Sequence, residues 1–191
     1  SAKETCPKVI PALQEWKGGS GKLVLPAEGS IVVAPADEAA LKSVATVLAQ
    51  DLKDLLDWNY TIRTGKPGKN DIYLSLMKPD KQLGEEGYVL TAGRYAGIEA
   101  PARQGAFWGT RSLLQILYNE KGQLPKGVAR DWPQYPSRGF MLDVGRKFFT
   151  MDFLRQYVKI LSFYKLNEFQ IHLNDNGFVQ FFDNDWNKTY A

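Results

Sequence analysis

Two polar side chains stand at places in the sequence where binding or catalytic groups are expected. Arg146 follows the mostly apolar run Phe140 to Val144, and Asp175 follows a second apolar run that ends at Leu173. A guanidinium can donate two parallel hydrogen bonds to adjacent hydroxyls or to an anion. A carboxylate can accept a sugar hydroxyl or orient a catalytic group. Spacing alone also allows a plain ion pair between two loops, so the chemistry stays open at this point.

A strand, a helix and a second strand are predicted to position these two side chains. Phe140 to Val144 is apolar enough for a strand buried on both faces, and Asn167 to Leu173 predicts the second strand. Between them, apolar residues recur at helical spacing after Thr150, the expected N-cap: Phe153, Leu154, Tyr157, Val158, Leu161 and Tyr164. Parallel strands joined through a helix place their carboxyl ends side by side, where barrels and open α/β sheets bind ligands. We therefore expect Arg146 and Asp175 at neighbouring strand ends.

A separate α+β unit is predicted upstream of these elements. Residues 22 to 130 combine short β-rich runs with two amphipathic helices, Asp37 to Asp57 and Ala102 to Tyr118, which we place on one face of the sheet. The strands are predicted at Leu23 to Leu25, Ile31 to Val33, Tyr60 to Ile62, Ile72 to Leu76, Tyr88 to Leu90 and Tyr95 to Ile98. The last two are expected to form a hairpin across Ala92-Gly93. This pattern predicts an α+β sandwich of two layers.

Two glycines lie four residues apart in the second predicted helix, at Gly105 and Gly109. Each costs a helix interior about 1 kcal/mol relative to alanine. We therefore expect them where the helix approaches the sheet closely.

Glycine and proline mark the expected domain boundaries. Residues 1 to 21 contain the run Gly18-Gly19-Ser20-Gly21, which favours an irregular lead-in closed by a turn. Residues 22 to 131 are the α+β domain. Residues 132 to 137 are a connector, because its prolines disfavour helix in the residues before them. Residues 138 to 191 are then the first strand, helix and strand of an incomplete second domain, with the loop that follows.

Composition excludes several classes of protein and site. The 191 residues carry 24 Lys and Arg against 21 Asp and Glu, a net charge of +3, so a nucleic-acid partner is not expected. One cysteine, Cys6, and one histidine, His172, exclude an intrachain disulfide framework and disfavour a zinc site. No apolar run approaches the roughly 18 residues of a spanning helix. We expect no metal ion, no cofactor and no membrane-spanning segment.

Three ordered segments of the chain resemble the opening of a known catalytic barrel. They are Ser137 to Phe149, Tyr164 to Asn167 and His172 to Asn176. Together they closely resemble the start of the catalytic domain of glycoside hydrolase family 20, the β-N-acetylhexosaminidases. Gly105 to Gly109 is similar to a helix of that family's N-terminal α+β domain. The resemblance covers nearly the whole chain and implies an α+β domain followed by the truncated start of a TIM (β/α)8 barrel.

The resemblance also implies roles for the two polar side chains. Arg146 matches the arginine that binds the 3- and 4-hydroxyls of the terminal N-acetylhexosamine. Asp175 matches the aspartate that supports the general-acid glutamate through a histidine from later in the chain. Asn176 departs from the family pattern, which usually has a second acidic residue there. The family's chemistry is substrate-assisted and retaining: the 2-acetamido oxygen attacks the anomeric carbon.

Other residues of the second domain have ordinary structural interpretations. His172 lies inside a predicted strand, where a packed histidine is favoured over a catalytic base because no serine or cysteine is placed as its nucleophile. Arg138 and Asp143 are interpreted as structural polar groups. The aromatic residues after Asp175 are interpreted as loop packing in preference to sugar stacking.

The resemblance predicts part of an exo-β-N-acetylhexosaminidase that releases terminal N-acetylglucosamine or N-acetylgalactosamine. A barrel takes about 250 residues, and the catalytic Asp-Glu pair belongs to later strands, so this chain alone is expected to be inactive and to self-associate through its incomplete barrel. Its partner is a glycan substrate, met in the periplasm, at the cell surface or after secretion. Two alternatives stay open. One is a non-catalytic carbohydrate-binding or scaffold module, and the other is a related hydrolase, such as an α-glucuronidase or an O-linked N-acetylglucosaminidase.

Overall fold

A mixed β-sheet with two helices forms the first unit of the chain. The computed structural model describes residues 1–134 and 162–165. Ser1–Pro133 form one compact unit, and Gln134–Ala191 form a second. Within the second, residues 162–165 make a short turn in which the Lys165 N–H donates to the Ser162 carbonyl at 3.0 Å.

The sheet in residues 1–134 has seven strands. They are β1 (Glu15–Val24), β2 (Glu28–Val33), β3 (Asn59–Thr64), β4 (Ile72–Leu76), β5 (Tyr88–Ala92), β6 (Ala96–Ala100) and β7 (Gln123–Asp131). Their order is β1-β7-β5-β6-β4-β2-β3. β2 is parallel to β3 and β4, and β4 is parallel to β6. β5 is antiparallel to β6 and β7, and β7 is antiparallel to β1.

Two helices cover one face of this sheet, as the sequence predicts. They are α1 (Glu38–Leu56) and α2 (Arg103–Asn119), and a short 3-10 turn at Pro35–Asp37 precedes α1. α1 packs on β2 and β3, α2 packs on β5 and β6, and the helices contact each other. Asp57 caps the carboxyl end of α1: its backbone is left-handed (φ 57°), and its N–H donates to the Lys53 carbonyl.

The core lies between the sheet and the helices. Residues opposite each other on neighbouring strands share a face of the sheet. Val33, Leu74, Ile98, Leu90 and Ala129 form such a row across five strands. Each is at most 4% exposed, so the row is the floor on which the helices pack.

Gly105 and Gly109 lie where α2 approaches the sheet, as predicted. A Cβ at Gly109 would be 2.6 Å from Ile98 Cγ2 and 3.1 Å from the Tyr88 ring. A Cβ at Gly105 would run into the carbonyl oxygen of Gly87. Only glycine fits these two positions without moving α2 away from the sheet.

The first residues of the chain differ from the sequence prediction. The predicted turn at Gly18-Gly19-Ser20-Gly21 is wrong, because these residues lie inside β1, where the pairing register with β7 shifts between Gly18 and Lys22. The Glu4 N–H donates to the Gly19 carbonyl at 2.7 Å, and Val9 is buried. Residues before Lys22 therefore belong to the packed unit.

Strand β7 was not anticipated, because its sequence contains Pro125 and Gly127. Pro125 faces Lys22 of β1 and precedes the stretch that pairs with β5. Gly127 has φ 155°, a conformation that favours glycine, and Trp16 packs against it.

The hairpin predicted across Ala92-Gly93 is confirmed: β5 and β6 pair from Ala92 and Ala96. In the described residues, no helix is long and apolar enough to cross a membrane.

Candidate functional site

The predicted site residues lie outside the described residues. This holds for Arg146 and Asp175, and for Arg138, Asp143 and His172. Their roles stay predictions. What the structure describes is the unit that precedes them, including the end of β7, where the chain leaves that unit.

A buried polar cluster fixes the end of β7. Asp131, its last residue, is 5% exposed, and its carboxylate accepts a hydrogen bond from the Tyr88 hydroxyl at 2.6 Å. The Gln14 N–H donates to the same carboxylate at 3.0 Å. The Tyr88 hydroxyl also contacts the Ser112 hydroxyl of α2. The cluster thus joins β7, β5, α2 and the N-terminal segment.

Gln115 of α2 binds the N-terminal segment at a second point. Its side-chain amide accepts from the Ile10 N–H at 2.8 Å and donates to the Ile10 carbonyl at 3.0 Å. The Gln14 side chain donates to the Trp132 carbonyl at 3.2 Å. Residues 10–14 therefore bind both α2 and the first residue after β7.

The electrostatics of the cluster indicate a positioning role. Burial raises the pKa of the Tyr88 hydroxyl well above its ordinary value, and the negative charge of Asp131 raises it further. The hydroxyl is therefore protonated at neutral pH and acts as a hydrogen-bond donor. The hydrogen bond from this buried hydroxyl to the Asp131 carboxylate holds β5 and the end of β7 in position.

A buried ion pair joins the two helices. Arg111 of α2 is 1% exposed, and its Nη1 lies 2.5 Å from Oδ2 of Asp51 in α1. Burial lowers the pKa of the Arg111 guanidinium, while Asp51 opposes that shift. The guanidinium also lies 4.6 Å from the centre of the Phe107 ring.

Within residues 1–134 and 162–165, no group of three His, Cys, Asp or Glu side chains is placed to hold a metal ion. Cys6 is exposed at the surface.

Sequence reasoning missed the polar cluster and the ion pair. The available signal was a set of polar residues, Arg111, Ser112 and Gln115, within the same stretch of α2 as the apolar residues Leu113, Leu114 and Leu117. Buried polar groups must find partners. Their respective partners Asp51, Tyr88 and Ile10 are 24 or more residues away in sequence, so only the fold identifies them.

Comparison with protein families assigns both parts of the chain. The description "Glycosyl hydrolase family 20, domain 2" matches residues 6–132, and "Glycosyl hydrolase family 20, catalytic domain" matches residues 135–181. The chain therefore belongs to glycosyl hydrolase family 20. It comprises domain 2 of that family and the start of its catalytic domain, and the resemblance found in the sequence is confirmed.

Curated relatives are longer than this chain. The chain is 34% identical over 147 residues to a beta-hexosaminidase of Porphyromonas gingivalis, covering 71% of this chain and 19% of that protein. It is 31% identical over 166 residues to a lacto-N-biosidase of Bifidobacterium bifidum, covering 85% of this chain and 14% of that protein. A beta-N-acetylhexosaminidase of Cellulomonas fimi is 30% identical over 87% of this chain and 34% of its own length. The chain thus spans between about a seventh and a third of these relatives.

Solved structures agree with this assignment. The family 20 beta-N-acetylhexosaminidase of Streptomyces coelicolor superposes with a TM-score of 0.71 at 28% identity, covering 87% of this chain and 35% of that one. A Streptomyces plicatus beta-hexosaminidase solved with the product GlcNAc gives a TM-score of 0.70 at 28% identity, over 87% of this chain and 34% of that one.

Proposed function

We propose that this chain is part of an exo-acting β-N-acetylhexosaminidase that removes terminal N-acetylglucosamine or N-acetylgalactosamine from glycans. The observation that carries the proposal is the order of the two family 20 matches along one chain, domain 2 at residues 6–132 and the catalytic domain at residues 135–181. Relatives named beta-hexosaminidase from several organisms support the same activity.

The proposed architecture after the first unit is the start of a (β/α)8 barrel. Residues 132–137 are the connector, and residues 138–173 supply a strand, a helix and a strand. In such barrels the active site lies at the carboxyl ends of the strands. Arg146 and Asp175 follow the two proposed strands and so fall at that edge.

Arg146 is proposed to bind the sugar and Asp175 to act through another group. A forked guanidinium can donate to the adjacent 3- and 4-hydroxyls of the terminal sugar. The Asp175 carboxylate is proposed to hold a histidine in one tautomer, and that histidine supports the general-acid glutamate. Asp175 is thus a positioning residue. The acetamido-orienting aspartate and the glutamate belong to strands beyond residue 191.

The first unit contributes a fixed exit point for the chain. Asp131, Tyr88 and Gln14 hold the end of β7, and the Gln14 side chain binds the Trp132 carbonyl. We propose that this support sets where the connector to the catalytic domain begins. The role is structural and needs no contact with substrate.

The test is kinetic and uses a longer protein that contains this chain and a full catalytic domain. That protein should hydrolyse a fluorogenic β-N-acetylglucosaminide. Arg146→Ala should raise KM and lower kcat, with kcat/KM reduced about 10- to 200-fold, since a charged donor to a buried hydroxyl contributes about 1.5–3 kcal/mol. Arg103→Ala, an exposed site in α2, is the matched control and should retain activity. No turnover by the parent would favour the non-catalytic module, and unchanged kinetics of Arg146→Ala would remove the role of Arg146.

A second candidate substrate follows from one relative. The Bifidobacterium bifidum protein is named a lacto-N-biosidase and matches 85% of this chain. Assaying the longer protein on a fluorogenic lacto-N-bioside beside the N-acetylglucosaminide separates the two. We expect turnover of the monosaccharide substrate, and turnover of the lacto-N-bioside alone would replace the proposal.

We also propose that the enzyme acts outside the cytoplasm, in the periplasm, at the cell surface or after secretion. Polymeric glycans with terminal N-acetylhexosamine are met there, which supports this location. Cell fractionation of the source organism with an antibody to the chain tests it. Recovery in the cytoplasmic fraction would contradict the proposal.

A further inference from the structure

An open groove lies among β1, β7, the loop between β3 and β4, and the turn between β5 and β6. Its volume is about 490 Å³. Four cationic side chains line it: Lys22, Lys69, Arg94 and Lys126. We call this surface the basic groove. Among the described residues that line it, none is acidic.

The charges of the basic groove are not neutralised within the described residues. Other cations of this part of the chain form ion pairs, as Arg63 does with Asp71 and Arg130 with Asp80. The four groove cations have no ion pair in residues 1–134. Asp71 is close in sequence, but its carboxylate accepts from the Gly68 N–H at 2.7 Å and from Arg63 at 3.1 Å. The positive potential of the groove is therefore available to a ligand.

Backbone hydrogen bonds connect the segments that carry the four cations. The Asn70 N–H donates to the Arg94 carbonyl at 2.9 Å, which joins the two loops that carry Lys69 and Arg94. Lys22 faces Pro125 across the β1–β7 pair, one residue before Lys126. Lys126 is half-buried. The four cations of the groove therefore come from four separate segments of the fold.

The lining of the groove indicates the class of ligand. Its volume falls in the range of about 300–1,000 Å³ that holds small ligands. Val24, which is 58% exposed, provides an apolar wall for the C–H groups of a sugar ring. No aromatic side chain lines it among the described residues, whereas proteins that bind single-stranded nucleic acids stack bases on aromatic rings.

We propose that the basic groove binds a glycan segment that carries sulfate or carboxylate groups. The choice of a glycan over another anion rests on the proposed function, while the requirement for negative charge rests on the four cations. The groove belongs to the domain 2 part of the chain, so it is a second binding site in addition to the one proposed at Arg146. It would hold an acidic part of the glycan.

The test is a binding measurement on this chain, which needs no turnover. A chondroitin sulfate hexasaccharide is titrated into the chain by calorimetry at 50 mM and 150 mM NaCl. Arg94→Gln with Lys126→Gln should weaken binding at least tenfold, because two charged contacts are lost. The control, Lys42→Gln with Lys81→Gln, removes the same charge from exposed sites outside the groove and should change the affinity less than twofold. Neutral chitohexaose should bind the double variant and the unaltered chain equally.

Lys69→Gln is a second variant for use if the double variant does not fold, and it should weaken binding alone. The inference is overturned by absent binding at both salt concentrations, by an equal loss in the control, or by equally tight binding of a hexathymidylate. Turnover of the neutral fluorogenic substrate by the longer protein reports on the proposed function separately. A failure of one proposal is therefore distinguishable from a failure of the other.

Discussion

The buried Tyr88 hydroxyl and the buried Asp131 carboxylate form a hydrogen bond at the end of β7. Tyr88 donates to Asp131, which also accepts from the Gln14 backbone. Removing one member of a buried hydrogen-bonded pair leaves the other without its partner, which costs more than the bond itself contributes. Sequence reasoning could not identify this pair, since it placed Asp131 only as the last residue of the predicted α+β domain.

Tyr88→Phe tests this pair. It should lower the free energy of unfolding by about 1–3 kcal/mol, because the Asp131 carboxylate loses a donor in a buried site. Tyr118→Phe is the matched control, since Tyr118 is 55% exposed on α2 and should change stability by less than about 0.5 kcal/mol. Urea denaturation followed by circular dichroism measures both. Equal stability of the two variants would contradict the role of the hydroxyl.

The same hydroxyl predicts a pH dependence. Its pKa is raised in the folded chain above the ordinary value near 10, so the unfolded state loses this proton first. The stability that Tyr88 contributes is therefore present below pH 10 and is lost as the pH rises above it. The free energy of unfolding should fall more steeply between pH 9 and 11 in the unaltered chain than in Tyr88→Phe, and parallel curves would refute this.

At the scale of elements, two features position the helices. Gly105 and Gly109 allow α2 to pack closely on the sheet, and the Arg111–Asp51 ion pair joins α1 to α2. The sequence predicted both helices, six of the strands, the hairpin and the role of Gly105 and Gly109, because periodicity and glycine placement are local signals. It missed β7 and misjudged the Gly18 to Gly21 run, because there the pairing of β1 with β7 overrides local preference. Arg146 and Asp175 could be proposed from sequence and stay proposals.

Gly105→Ala tests the close approach of α2. Alanine is the better helix former by about 1 kcal/mol, yet its Cβ would meet the Gly87 carbonyl oxygen, and overpacking costs about 1–3 kcal/mol or more. We expect net destabilisation. Gly93→Ala, where no atom lies within 4 Å of the added Cβ, should be close to neutral. Thermal unfolding compares the two variants, and a Gly105→Ala protein as stable as Gly93→Ala would argue against close packing.

Arg111→Met tests the ion pair between the helices. It leaves the Asp51 carboxylate buried without its cation, which typically costs about 3–5 kcal/mol. Adding Asp51→Leu to that variant should recover much of the loss, since an apolar pair of similar volume is often tolerated. The measurement is a double-mutant cycle of unfolding free energies. Additive losses in the double variant would show that the two side chains are not coupled.

At the scale of the whole molecule, the chain joins a described family 20 domain 2 to the start of a catalytic domain, and it covers 19% of its Porphyromonas gingivalis relative. We expect this chain alone not to hydrolyse β-N-acetylglucosaminides. The proposed acid glutamate belongs to a later strand of the family's barrel, and general acid catalysis alone contributes about 10²–10⁴-fold. A fluorogenic assay compares the chain with the longer protein, and chain activity within tenfold of the longer protein would overturn this expectation.

Self-association is a further expectation at this scale. The two barrel strands proposed for residues 138–173 would, without their neighbours, leave unpaired backbone groups and exposed apolar surface. Light scattering after size-exclusion chromatography should show a dimer or larger species for this chain. Residues 1–134 expressed alone should associate less. A 191-residue chain that stays monomeric at about 100 µM, within the µM–mM range in which exposed apolar surface and unpaired strand edges associate, would contradict it.

The proposed function is that of a retaining, substrate-assisted β-N-acetylhexosaminidase of which this chain is a part. Proton NMR of the longer protein acting on 4-nitrophenyl β-N-acetylglucosaminide tests it most directly, because the anomer released first reports the mechanism. The account predicts that β-N-acetylglucosamine appears first and then mutarotates to the α form. Initial release of the α anomer, or no release at all, would contradict it.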